Sequence, residues 1–204
     1  MISSRIGHSL DPLLIGIYRL LFGRRAVSPN ALTLIGLFFS LAAAAMAATR
    51  LPLFLAGFLL AVSGLFDLLD GAVARGARMI TPFGGFLDSV LDRYSDLLIM
   101  LGIAIHFLRQ DAPDALFAMI AFFAAIGTAI IPYARARAEA ASISCKNGLL
   151  ERSERIILLL AGLFFNILRP VVVVLAVFTH LTVIQRVVLT RKAAEKAAGG
   201  GSGG

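Results

Sequence analysis

The sequence predicts an all-α integral membrane protein with six transmembrane helices, preceded by an amphipathic helix at the membrane interface. Of its 204 residues, 59% are hydrophobic, and the mean hydropathy is +0.89. Both values lie far above those of ordinary soluble domains, so a multi-pass membrane protein is the expected class. Short polar or proline-containing breaks divide the apolar sequence into stretches near the ~20 residues that a membrane-spanning helix needs.

Residues 1–27 predict the interfacial helix. Apolar residues recur there at a spacing near that of a helical turn, and charged residues such as Arg5, Asp11 and Arg19 interrupt them. This pattern is typical of a helix that lies in the membrane surface without crossing it. A soluble amphipathic helix that packs on its own domain is the alternative.

Residues 28–192 predict one six-helix membrane domain. Ser28-Pro29-Asn30 is a typical helix start, because serine caps a helix and proline suits its first turn. The expected spans are 32–49, 53–67 (continuing as a helix to about Arg75), 86–108, 115–132, 156–168 and 170–189. The remaining residues, 193–204, form a C-terminal tail whose last six residues, GGGSGG, resemble an engineered linker.

The basic residues predict the orientation of these spans. With six spans, both termini lie on one side, and that side receives all of the 19 Lys and Arg except Arg50, Arg109 and Arg169. The positive-inside rule then places the termini and the site described next on the cytoplasmic side of the inner membrane. The net charge of +7 therefore indicates contact with anionic lipid and phosphorylated substrates, and no nucleic acid is expected.

Five of the twelve acidic residues lie between positions 67 and 96. Asp67 and Asp70 are three residues apart, and Asp88 and Asp92 are four apart, so each pair shares one helix face. Glycines and Thr81-Pro82 separate the pairs and suit a helix end followed by a new helix start. Four carboxylates converging at membrane depth need cations among them, and carboxylate oxygens favour Mg²⁺ or Mn²⁺.

The same stretch resembles the signature of the CDP-alcohol phosphotransferases, Asp-x2-Asp-Gly-x2-Ala-Arg-x8-Gly-x3-Asp-x3-Asp, with every spacing met from Asp67 to Asp92. This resemblance implies transfer of a phosphatidyl group from CDP-diacylglycerol to an alcohol, with release of CMP. It implies two divalent ions held by Asp67, Asp70, Asp88 and Asp92, with Asp92 also the candidate general base. By the same resemblance, the CDP-lipid is bound by Asn30, Thr33, Gly71, Arg75, Thr81 and Gly84, and the protein is a homodimer.

A second group of residues is similar to the phosphatidylinositol-phosphate synthase branch of this family: Tyr133-x-Arg135-x-Arg137-Ala-Glu139, Glu151-Arg152-Ser153-Glu154-Arg155, and Gln185-Arg186. That similarity implies that Arg135, Arg155 and Arg186 hold the phosphate of inositol phosphate, although the branch commonly has lysine at the first position. The alternative is that these arginines bind no substrate and serve only as the positive charges that set the orientation of the helices.

Two other functions remain open from the sequence. The same chemistry with glycerol 3-phosphate as acceptor fits the same residues, and a divalent-cation transporter would also use an intramembrane Asp cluster. Arg78 is a weaker candidate for phosphate binding. Asp96 continues the same helix face one turn beyond the signature, so it could support the metal ligands, but the signature stops at Asp92 and favours no role for it.

Overall fold

The structure, a computed structural model, describes residues 2–23, 27–77, 79–143, 145 and 148–199, with side chains from Asp11 to Glu195 within those ranges. This part of the chain forms seven α-helices joined by short connections. They are α1 Ile2–Phe22, α2 Pro29–Ala47, α3 Leu53–Gly76, α4 Pro82–Leu108, α5 Ala115–Ala140, α6 Arg152–Phe164 and α7 Leu168–Gly199. The all-helical prediction is confirmed.

Several helix starts are fixed by side-chain caps. The Ser28 hydroxyl accepts a hydrogen bond from the Ala31 amide at 3.3 Å, ahead of α2. The Thr81 hydroxyl does the same for the Gly84 amide at 3.0 Å, ahead of α4. In both helices proline occupies the first turn, where its missing N–H costs nothing. The predicted helix starts at these two positions are confirmed.

Small residues let the helices approach closely in the core. A Cβ added to Gly102 on α4 would clash with the backbone of Ala44 on α2, and one added to Gly127 on α5 would clash with Thr179 on α7. Such contacts are typical of helices that associate within a membrane. The core itself is formed by apolar residues from α2 to α7, including Leu60, Ile103 and Leu163. Helix α2 packs against both α3 and α4, which fixes the two acidic helices relative to each other.

Four of the described helices are long and apolar enough to cross a membrane: α2, α3, α5 and the Leu168–Glu195 part of α7. The chain is therefore a multi-pass membrane protein. Helix α4 falls outside this set because Asp88, Asp92, Arg93 and Asp96 interrupt its first half. Helix α6 has 13 residues and spans only ~20 Å, less than the ~30 Å apolar core of a bilayer. The six-span count stays a prediction.

The helix of the fifth expected span, 156–168, ends earlier in the structure than the apolar sequence indicated. Helix α6 ends at Phe164, and Asn166 adopts a left-handed backbone conformation with φ 55° before α7 begins at Leu168. Asparagine tolerates this conformation better than most residues, so it suits a helix C-terminus. At the other end of α7, the helix continues through residues 193–199, which the sequence had assigned to the tail.

Helix α1 lies against the membrane domain. Its buried Leu14 joins Leu32, Leu69 and Ala72 in a small apolar cluster, and the Tyr18 hydroxyl accepts a hydrogen bond from the Val27 amide at 2.8 Å. On its other faces Leu13, Leu20 and Leu21 are exposed. The helix therefore packs on its own domain, as the alternative stated, and also keeps an exposed apolar surface. Its position in the membrane interface stays a prediction.

Candidate active site

Three carboxylates from two helices form the centre of the site. Asp67 and Asp70 on α3 and Asp88 on α4 each offer an oxygen, and these oxygens lie within 4.8 Å of one another. Asp70 is only 6% exposed, and its Oδ2 has no hydrogen-bond partner among the described residues. A buried carboxylate oxygen without a partner is costly unless a cation or donor meets it. The three oxygens therefore fit a divalent metal ion.

Asp92 lies beside this trio but faces a different partner. Its Oδ1 forms an ion pair with Arg152 Nη2 at 2.8 Å, and Asp92 lines the same small cavity as Asp67, Asp70 and Thr33. Asp92 also lines a larger cavity on its other side, described below. The expected convergence of four carboxylates is thus seen as a close group of three with Asp92 adjacent.

Arg152 is a central residue that the sequence analysis quoted but gave no role. Its guanidinium reaches Asp67 at 2.8 Å, Asp92 at 2.8 Å and Asp96 at 3.5 Å. The available signal was its position three residues before Arg155, which places both arginines on one face of α6. Asp96 was also underestimated, because its two oxygens accept hydrogen bonds from both Arg152 and Arg155.

The three predicted acceptor arginines line one cavity of about 210 Å³ next to Asp92. They come from three elements: Arg135 from α5, Arg155 from α6 and Arg186 from α7. Its other lining residues are Arg93, Ile131, Pro132, Glu151, Arg152 and Ser153. Five arginines around one opening make it strongly basic, and Asp92 is the one residue of the Asp cluster in its lining.

Two of these arginines are almost fully buried. Arg155 and Arg186 are each 5% exposed. Arg155 donates to the Leu150 carbonyl at 3.2 Å and Arg186 donates to the Ile131 carbonyl at 2.7 Å. The Nε atom of each has no partner within the described part of the chain. Arg135 is more exposed and pairs with Glu139 at 2.8 Å.

The residues expected to bind the CDP-lipid divide into two groups. Asn30, Thr81 and Gly84 lie together: a Cβ on Gly84 would be 2.9 Å from the Thr81 hydroxyl and 3.3 Å from Asn30 Oδ1. Thr33 lines the cavity of the carboxylate trio, and its hydroxyl donates to the Pro29 carbonyl at 3.1 Å. The start of α2, the start of α4 and the Asp cluster are therefore adjacent.

Gly71 and Arg75 form the second group on α3. A Cβ on Gly71 would be 3.0 Å from Arg75 Nη1, so glycine leaves room for this guanidinium. Arg75 donates two hydrogen bonds to Asp11 of α1, at 2.7 and 3.2 Å. The sequence analysis missed this pair because the partners are 64 residues apart. Arg78 lies outside the described residues.

An apolar cavity of about 490 Å³ opens between α3 and α6. Leucine and isoleucine side chains line most of it, including Leu60, Leu68 and Ile157, and Asp67 and Arg152 close its polar end. A lipid chain fits such a lining, and the polar end meets the carboxylate trio.

Comparison with known proteins identifies the family. The sequence profile of the CDP-alcohol phosphatidyltransferases matches residues 26–191. The chain is 39% identical over 171 residues to archaetidylinositol phosphate synthase of Pyrococcus horikoshii, covering 83% of this chain and 86% of that protein. It is 32% identical over 170 residues to phosphatidylinositol phosphate synthase of Mycobacteroides abscessus, covering 80% and 77%.

Comparison with solved structures supports the same family. The fold matches Mycobacterium tuberculosis phosphatidylinositol phosphate synthase with CDP-DAG bound at a TM-score of 0.76 and 28% identity, covering 88% of this chain and 92% of that one. It also matches that enzyme in complex with manganese and citrate at a TM-score of 0.75 and 29% identity, covering 88% and 87%. These proteins are transferases, so the cation-transporter alternative is set aside. The chain belongs to the CDP-alcohol phosphatidyltransferase family.

Proposed function

We propose that this protein transfers the phosphatidyl group of CDP-diacylglycerol to inositol phosphate and releases CMP. The observation that carries the acceptor assignment is the basic cavity, in which Arg135, Arg155 and Arg186 meet beside Asp92. Two of these guanidinium groups are buried, and the Nε of each has no hydrogen-bond partner among the described residues. A phosphate monoester dianion offers several oxygens to such donors, whereas a neutral alcohol does not.

Asp67, Asp70, Asp88 and Asp92 would hold two divalent ions, Mg²⁺ or Mn²⁺. Asp70 Oδ2, which has no hydrogen-bond partner in the described part of the chain, supports this assignment. When bound, the ions would neutralise the charge that develops on the pyrophosphate and on the departing CMP.

Asp92 is also proposed as the general base that takes the proton of the acceptor hydroxyl. A carboxylate that shares its electrons fully with a metal is a weak base, so the two roles compete. The position of Asp92 beside the close trio, on the wall shared with the arginine cavity, supports its role as base. In that position it can reach an acceptor whose phosphate is held by the arginines.

The donor would approach from the opposite side. Asn30, Thr33, Gly71, Arg75, Thr81 and Gly84 would bind the cytidine diphosphate, and the apolar cavity between α3 and α6 would receive lipid. Gly84 supports this assignment because a side chain there would crowd Thr81 and Asn30. Asp11 would act through Arg75 by fixing its guanidinium.

We further propose the topology that the charges indicate: six spans, α1 in the interface, and termini and site on the cytoplasmic side of the inner membrane. The domain limits proposed are 1–27, 28–192 and 193–204, with homodimers as the assembled form. Cysteine accessibility at the loop containing Asp111, compared with the loop at Gly148, tests the orientation.

The function is tested by incubating the purified protein with labelled CDP-diacylglycerol and a panel of acceptors. Inositol phosphate, glycerol 3-phosphate, free inositol and serine are run in parallel. Fast transfer to inositol phosphate is expected, with little transfer to the neutral or zwitterionic acceptors. Preference for glycerol 3-phosphate would favour the runner-up acceptor, and preference for free inositol would refute the phosphate-binding role of the arginines.

A further inference from the structure

We propose that Arg152 is a built-in counter-cation of the metal site, which competes with divalent cations for Asp67 and Asp92 and leaves them when the cations bind. This inference rests on the metal site of the proposed function and assigns a positioning role to a residue outside the predicted ligand and substrate sets. It begins from the three contacts that one guanidinium makes with three carboxylates.

The contacts connect α6 to both acidic helices. Nη1 lies 2.8 Å from Asp67 on α3, and Nη2 lies 2.8 Å from Asp92 on α4. Both are short ion pairs, and the contact with Asp67 is also a charge-assisted hydrogen bond. The planar guanidinium suits two carboxylate partners at once. Arg152 therefore occupies oxygens that two proposed metal ligands would otherwise turn toward a cation.

The negative charge of the Asp cluster explains why a cation is stabilising at this position. The cluster of Asp67, Asp70, Asp88, Asp92 and Asp96 carries five carboxylates. Of the described cations, Arg152 is the one within ion-pair distance of Asp67. Like charges this close raise each other's free energy, so a cation among them stabilises the group. A tethered guanidinium supplies one positive charge, and bound metal ions would supply more.

A purely structural role is a less complete explanation, because α6 has other anchors. Arg155 donates to Asp96 at 3.2 Å and is itself buried. Leu159 and Leu163, further along α6, are buried in the core. The helix would therefore stay docked without the contacts of Arg152 to Asp67 and Asp92.

The location of Arg152 also suits a group that moves within the site. It lines the arginine cavity, the carboxylate cavity and the apolar cavity. A guanidinium released from Asp67 and Asp92 would still lie where these three spaces meet. Its positive charge would then be available to an anionic substrate at the same point.

The test is direct binding of Mn²⁺, measured by electron paramagnetic resonance of the free ion without substrate. Arg152→Gln removes the competing charge, so we expect Mn²⁺ affinity to increase by about tenfold, in the usual range of coupling between two sites. Arg152→Lys keeps the charge and should stay within about threefold of wild type. Arg191→Gln is the matched control, since Arg191 is an exposed arginine paired with Glu195. Equal or weaker Mn²⁺ binding by folded Arg152→Gln would overturn the proposal.

A second measurement uses the wild-type protein, in case Arg152→Gln does not fold. Saturating Mn²⁺ should increase the rate at which phenylglyoxal modifies Arg152 at least severalfold, relative to Arg191 in the same sample, as measured by peptide mass spectrometry. An unchanged rate would mean that Arg152 keeps its carboxylate partners and would also overturn the proposal. Neither readout requires turnover, so failure of the acceptor panel and failure of this inference are distinguishable.

Discussion

Replacement of Arg186 by alanine is the sharpest test of the acceptor cavity. Arg186 is 5% exposed and donates to the Ile131 carbonyl at 2.7 Å, and its Nε meets no partner within the residues that the structure describes. If it binds the acceptor phosphate, the substitution removes at least one charge-assisted hydrogen bond, which contributes about 1.5–3 kcal/mol. At about 1.4 kcal/mol per factor of ten, the KM for inositol phosphate should rise roughly tenfold to a hundredfold.

The donor side should respond much less. The proposed nucleotide contacts lie on α2, α3 and the start of α4, whereas Arg186 lies on α7. We therefore expect the KM for CDP-diacylglycerol to change less than about twofold. The substitution also leaves the Ile131 carbonyl without its donor, which costs about 1–3 kcal/mol of stability, so thermal unfolding in detergent must accompany the kinetics.

The assay is initial CMP release against inositol phosphate concentration at saturating donor. Arg191→Ala is the control, because Arg191 lies on the same helix, its side chain is 80% exposed and its partner is Glu195. Arg186→Lys separates charge from shape and should recover part of the acceptor affinity. An acceptor KM unchanged in folded Arg186→Ala would refute the phosphate role and leave Arg186 as a structural contact of α5 and α7.

Three further predictions test the other parts of the site. Excess EDTA should abolish transfer and Mg²⁺ or Mn²⁺ should restore it; full activity in excess chelator would contradict the metal assignment. Asp92→Asn should lower kcat by at least about a hundredfold and retain donor binding, measured by equilibrium binding of labelled CDP-diacylglycerol; near wild-type turnover would remove Asp92 as base. Gly84→Ala places a Cβ 2.9 Å from the Thr81 hydroxyl and should raise the donor KM several-fold. The Cβ of Gly85→Ala meets nothing within 4 Å, so this variant should keep the wild-type donor KM. Equal donor KM values in the two variants would contradict the crowding argument.

Much of this architecture could be predicted because the relevant signals are local. The apolar stretches and the capping residues Ser28 and Thr81 indicated where helices begin, and the structure confirms those starts. Asp67 could be grouped with Asp70 because a spacing of three residues places both side chains on one helix face, and the short break at Thr81-Pro82 brings Asp88 of the next helix to the same site.

Contacts between distant segments could not be derived in the same way. Arg75 pairs with Asp11 over 64 residues, and Arg152 reaches Asp67 over 85. In both cases the charge pattern predicted a basic residue near the cytoplasmic end of a helix, for which the expected topology alone is a sufficient reason. Helix packing decides which carboxylate such an arginine meets, and one sequence does not contain that information.

The buried arginines connect structure to substrate choice. Arg155 and Arg186 are held by the Leu150 and Ile131 carbonyls, each with an Nε donor that remains without a described partner. A neutral acceptor would leave these buried donors unpaired, and sites built for a hydrogen-bonding group reject analogues that lack it by large factors. The lipid side is different, since an apolar cavity distinguishes weakly between chains of similar hydrophobicity. This contrast accounts for relatives named for archaetidyl and for phosphatidyl products that share inositol phosphate in their names. We therefore expect the arginine cavity to set the acceptor, while the surface proposed to receive the lipid could vary between members of the family.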